Sequence, residues 1–233
     1  GKSNIYYPIP KDRDQAFFYS DGLLLKFAAR RLLPYLKGFR YNIRDIEHFG
    51  HSARNLDRLF LNELTRKDWD SITRNFISLM PDTVLSKAVH QFPKEIYAIN
   101  GQQIFNKLKT RRDRLLGAAN GYYKFLSTYV NVLGSNQTEY FTVTNEADGK
   151  IKVHVISEIK KDTSFLKYER VFDPKETKEI RLYGFNGNDH FTVTADRTSP
   201  IFIRIIGGKG ADTFNVSGDI KNYLYDQTSE NNY

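Results

Sequence analysis

The sequence predicts an α+β protein: an N-terminal helical part, residues 1–135, followed by a β-rich part, residues 136–233, with a hairpin and a short stacked β-coil. Three observations carry this. Up to about residue 133 the apolar residues recur at threes and fours, the period of a helix with one buried face. From Tyr140 they alternate, the period of a half-buried strand. A Gly…Asp…Phe…Val pattern then occurs twice, 23 residues apart.

Taken in order, Leu23 to about Leu36 predicts a first helix after the Asp21-Gly22 turn, and Ser52 to Asn62 a short helix or loop. Thr65 and Asp68 form a capping box opening a helix with Trp69, Ile72, Phe76 and Leu79 on one face. Pro81 starts another helix at a favoured first-turn position; Val84, Leu85, Ala88 and Val89 give its apolar stripe, and Phe92-Pro93 ends it. From about Gly101 to Leu133 the residues Leu108, Leu115, Ala119, Tyr122, Leu126, Tyr129 and Leu133 predict one long helix. Beyond Gly134, Tyr140–Thr144 and Ile151–Ile156 flank Asp148-Gly149 as a hairpin. Further strands follow at Phe165–Phe172, Glu179–Tyr183, Phe191–Thr194, Ile201–Ile206, Thr213–Val216 and Tyr223–Tyr225.

Composition narrows the chemistry. With 233 residues and 40% apolar content the chain can bury a substantial core, and no apolar run approaches the roughly 20 residues of a membrane-spanning helix. Zero cysteine excludes disulfides, thiolate metal sites and a cysteine nucleophile. The first residues, Gly1-Lys2-Ser3-Asn4-Ile5, lack Met and run into a strand-like Tyr6-Tyr7-Pro8-Ile9-Pro10, so the start reads as excised from a longer chain. The net charge of +8 is uneven: residues 1–135 hold 22 Lys+Arg against 12 Asp+Glu, and the remainder is slightly acidic. Lys107, Lys109, Arg111, Arg112 and Arg114 concentrate the positive charge on the long helix. A basic strip of this kind is either a solvated face or an anion-binding surface for lipid, phosphate or an acidic protein. Tyr122, Tyr123, Phe125 and Tyr129 follow it at core-packing spacing; with no helix-turn-helix, finger or RNP pattern present, nucleic acid is not the expected partner.

Three motifs could carry a metal. The copies Gly184-Phe185-Asn186-Gly187-Asn188-Asp189-His190-Phe191 and Gly207-Gly208-Lys209-Gly210-Ala211-Asp212-Thr213-Phe214 each read as a turn leading into a strand. The second resembles the nonapeptide of calcium-binding β-roll (RTX) repeats, so the turns are either structural or hold Ca²⁺ between Asp189 and Asp212. The 23-residue spacing and Phe185 in place of a glycine depart from that nine-residue repeat. Asp12 and Asp14, on a turn beyond a strand, are candidates for Mg²⁺-assisted phosphoryl chemistry, and this stretch resembles the metal-binding aspartate region of protein-kinase-like and spore-coat-kinase-like folds. Residues 1–135 would then be a kinase-like C-terminal remnant. No glycine-rich nucleotide loop, strand lysine or catalytic-loop Asp…Asn set accompanies them, and a salt-bridged turn is the structural alternative. Glu47-His48-Phe49-Gly50-His51 lacks the His-Glu-x-x-His order, and Gly50 disfavours the helix such a site needs.

Tyr7 to Phe17, the Arg181 to Asp189 turn and Ile203 to Asp212 together resemble the middle region of large Gram-negative envelope proteins. In that family a calcineurin-like metallophosphoesterase domain lies upstream and a BamA/TamA-like outer-membrane β-barrel downstream. The resemblance implies a periplasmic or outer-membrane-associated connecting module whose partners are neighbouring domains of the parent chain. It also implies that any hydrolase activity belongs to the parent, because the Asp-x-His, Gly-Asp-x-x-Asp and Gly-Asn-His-Asp sets are absent here. The alternative is part of a phosphohydrolase or kinase-like phosphotransferase using Asp12 and Asp14.

Overall fold

A computed structural model describes residues 16–18, 22–24, 27, 38–43, 45–50, 53–160 and 163–227. Asp12, Asp14, His51 and most of the first expected helix lie outside these residues. The helices are α1 (Ile46–Phe49), α2 (Arg54–Phe60), α3 (Arg66–Ser78), α4 (Asp82–Val89), α5 (Lys94–Ile96), α6 (Gln102–Asp113) and α7 (Leu115–Thr128), with a π-turn at Tyr97–Gly101. The strands are β1 (Tyr129–Ser135), β2 (Thr138–Asn145), β3 (Ile151–Lys160), β4 (Thr163–Phe172), β5 (Glu179–Asn186), β6 (His190–Thr194), β7 (Phe202–Lys209), β8 (Thr213–Ser217) and β9 (Asn222–Tyr225). The order is that of an α+β fold, helices first and strands after. The chain divides into two compact units, Gly1–His51 with Ile72–Ala118, and Ser52–Ser71 with Ala119–Tyr233.

In the first unit, α4 buries Leu85 and Val89 while Val84 of the expected stripe stays exposed. Lys109 and Arg112 of α6 both reach Asp82 at the start of α4, at 2.6 and 2.7 Å. Their hydrogen bonds hold the Asp82 carboxyl below the usual carboxylate range.

The helix α3 opens on the expected capping box: the Thr65 N–H donates to Asp68 Oδ2 at 2.8 Å, and the Asp68 N–H reaches back to the Thr65 hydroxyl. The expected long helix from Gly101 to Leu133 is interrupted at Arg114 and ends at Thr128. Thr128 turns its hydroxyl back onto the Lys124 carbonyl at 2.6 Å, a bond that competes with continuing the helix. Residues 129–135 instead form a strand, because Val130 and Val132 alternate into the core and pair across from Ile180 and Leu182 of β5. The change from helix to strand therefore falls after Thr128, seven residues before the expected boundary at 135.

The second unit is built on a stack of parallel coils. One sheet runs β1-β5-β7-β9, all parallel; the other runs β4-β3-β2-β6-β8, parallel from β2 through β8. The chain alternates between the sheets: β1 then β2, β5 then β6, β7 then β8, with β9 starting another turn. The hairpin of β3 and β4 is an excursion between the first coil and the second. Its β2–β3 connection carries positive φ at Asp148 and Gly149 (60° and 69°), the handedness that the strand twist requires. Between the sheets lies one core containing Val132, Leu182, Ile205, Phe141, Phe191, Val143 and Val193, all 1% exposed or less. Each such side chain contributes roughly 1.5–3 kcal/mol by leaving water.

Candidate functional site

The repeat that the sequence shows twice occurs three times in space. Phe141↔Phe191↔Phe214 and Val143↔Val193↔Val216 lie one above another at successive coils, and hydrogen bonds join Glu139, Asp189 and Asp212 in the same order. The phenylalanine rings stack at 4.6 and 5.3 Å, and Tyr140 stacks on His190 at 4.7 Å. The first copy is hidden in the sequence because Tyr129 and Leu133 also fit a helical seam. The signal was present: Gly134, Glu139, Phe141 and Val143 repeat the spacing of Gly184, Asp189, Phe191 and Val193. The β3–β4 excursion stretches the offset to 50 residues and hides it.

The three acids form a buried column, none more than 1% exposed. Asp212 Oδ1 accepts the Asp189 N–H at 2.8 Å, and Asp189 Oδ1 accepts the Glu139 N–H at 2.8 Å, so each aspartate ties its coil to the preceding one. Glu139, in the first of these coils, accepts from Ser157 Oγ at 2.8 Å and from the Ser135 backbone N–H at 2.9 Å, with Lys167 Nζ at 3.6 Å. Bonds of this charged type contribute about 1.5–3 kcal/mol each and specify the register between coils.

A column of glycines makes room for the acids. A Cβ on Gly134 would stand 2.7 Å from the Gly184 carbonyl and 2.9 Å from Glu139 Oε2. One on Gly184 would strike Asp189 Oδ2 and the Gly207 carbonyl, and one on Gly207 would meet Asp212 and Asp226 carboxylate oxygens at 2.6 and 2.7 Å. The second oxygen of Asp189 has no hydrogen-bond partner among the described residues and faces the same point as the Gly207 carbonyl oxygen. Burial pushes the Asp189 carboxyl up to about 7, and the Glu139 and Asp212 carboxylates add to the rise against the pull of the Glu139 N–H and Lys167. A proton on this carboxyl removes a negative charge from a column that already holds Glu139 and Asp212.

The candidate calcium ligands Asp189 and Asp212 thus come together as neighbouring turns, and each gives one oxygen to a backbone amide. Among the described residues no group of three or more His, Asp or Glu side chains is placed to hold a metal ion. The candidate basic strip is divided. Lys109 and Arg112 are paired with Asp82, Arg112 also with Asp113, and Lys107 is buried beside the Phe39 and Tyr41 rings. Arg111 lies over Phe39 at 4.8 Å, and Arg114 donates to Asn42 Oδ1. The aromatic residues that follow do structural work: the Tyr122 hydroxyl donates to Asp57 and that of Tyr123 to Glu176 at 2.6 Å. Burial, reinforced by these bonds, raises both phenols, Tyr123 to about 12. No helix of the described residues is long and apolar enough to cross a membrane. No protein-family model, curated protein or solved structure matches the chain.

Proposed function

We propose that the chain is a non-catalytic connecting and interaction module of a cell-envelope protein, joining an enzyme domain of the metallophosphoesterase type to an outer-membrane barrel, both outside it. The observation that supports this reading is the acid column. The repeated carboxylates, the groups a catalytic site would place in an open cleft, are enclosed between sheets and bonded to backbone amides of the next coil. A stack of identical bonds suits a spacer, because it adds length without adding a new kind of contact. The envelope setting rests on the sequence resemblance at Tyr7 to Phe17, the Arg181 to Asp189 turn and Ile203 to Asp212.

The purified chain is to be assayed against aryl phosphates, nucleotides and phosphodiesters with Mg²⁺, Mn²⁺ and Zn²⁺. Turnover no higher than that of the buffer is the expected result. Turnover that disappears in Asp14→Ala overturns the proposal in favour of a phosphotransfer role for the N-terminal aspartates.

A further inference from the structure

Within the first unit, the end of α6 and the start of α7 wall a cavity of about 330 Å³ with Arg111, Arg114, Gly117 and Ala118; Asn42 and Ile46 also line it. That volume is at the small end of the range for ligand pockets, enough for one compact group. Its charge is unusual for the helix it sits on. Lys109 and Arg112 are neutralised by Asp82, whereas Arg111 has no carboxylate partner among the described residues. One face of its guanidinium rests on the Phe39 ring, which leaves the N–H edge free to hydrogen-bond. Burial without a compensating anion also lowers the affinity of Arg111 for its own proton. Arg114 is steadied by Asn42 Oδ1 through one nitrogen and keeps its remaining donors.

We propose that this cavity is a binding site for a phosphate-type oxyanion, held between the Arg111 and Arg114 guanidinium groups. Two planar forks three residues apart on one helical wall can each offer paired N–H donors to a tetrahedral anion, a geometry that ammonium groups do not reproduce. Asp45, exposed, is the one carboxylate lining the cavity among the described residues. Gly117 keeps the space open: nothing lies within 4 Å of where its Cβ would be. This inference goes beyond the connecting-module reading, and its outcome is independent of the turnover assay.

The test titrates the full chain with inorganic phosphate at constant ionic strength, followed by calorimetry and by the melting temperature. Saturable binding with a rise in melting temperature is expected, weakened at least about tenfold in Arg111→Ala and in Arg114→Ala. Lys109→Ala, whose partner is Asp82, leaves it unchanged. Gly117→Leu fills the cavity without removing a charge and replaces a helical glycine with a better helix former, so it remains informative if an arginine variant fails to fold. It abolishes binding if the cavity is the site. Absence of saturable phosphate binding by the unaltered chain overturns the proposal, as does binding that survives Gly117→Leu. A second arm uses vesicles of phosphatidic acid against vesicles of phosphatidylcholine. Association with the anionic vesicles that free phosphate competes away assigns the site to a lipid headgroup. Phosphate binding without vesicle association assigns it to a soluble phosphate compound.

Discussion

The coil stack and the helical segment around α6 handle charge in opposite ways. In the stack, Glu139, Asp189 and Asp212 are fully enclosed, and their partners are backbone amides or side chains supplied at matching positions. Around α6, Asp82 is half-exposed, and its partners Lys109 and Arg112 come from the neighbouring helix. Apolar residues differ in the same sense. Phe141 and Phe191 are sealed within the stack, whereas Phe76 of α3 remains 47% exposed. A repeat can bury polar groups because it presents a complementary donor at each layer. A single helix pair has no such register, and the Asp82–Lys109 pair stays partly in water, where an ion pair stabilises little.

The largest test of this contrast compares two phenylalanines. Phe191→Ala should destabilise by about 3–5 kcal/mol in urea melts, because it opens a hole between two stacked rings. Phe76→Ala should change stability by no more than about 0.5 kcal/mol. Equal effects would mean that the layers do not fold as one core.

Two glycines sharpen it next. Gly184→Ala places a methyl against the Asp189 carboxyl and the Gly207 backbone and should cost about 1–3 kcal/mol. Gly117→Ala meets open space on α7 and should stabilise by about 1 kcal/mol. A neutral Gly184→Ala would show that the coils can spread apart without penalty.

The Asp189 carboxyl provides a finer probe through pH. Its folded value near 7 exceeds the ordinary 3.8, so the native state holds the proton more tightly than the unfolded chain. This contribution is fully present below about pH 4, declines as pH rises towards 7 and is then lost. Asp189→Asn keeps an acceptor for the Glu139 N–H and a permanent donor in place of the proton, so its melting temperature should lose that part of the decline between pH 4 and 7. An unchanged slope in the variant would assign the titration elsewhere. The smallest expected effect is that of calcium. With Oδ1 of Asp189 and of Asp212 already bonded to amides, thermal melts with Ca²⁺ and with chelator should coincide. A calcium-dependent rise absent in Asp212→Ala would establish the ion-site alternative.

Much of the second unit was legible because a strand paired to its own repeat obeys local rules. The 23-residue offset of Asp189 and Asp212 returns as their pairing one coil apart, and the Asp148-Gly149 turn as a hairpin. The misplaced segment was Tyr129–Ser135, where Tyr129 and Leu133 match a helical seam while Val130 and Val132 match a strand. Both periods fit seven residues, and only the presence of β5 alongside decides between them.

The sequence by itself determined the order of elements, the capping box at Thr65 and Asp68, and two of the three turns, because these depend on residues close together in the chain. Only the tertiary structure decided that Glu139 belongs with Asp189 and Asp212, that Lys109 and Arg112 are occupied by Asp82, and that Arg111 faces a cavity. Those facts depend on which distant groups share one low-dielectric space, and the energy of a buried charge is set by its neighbours in space.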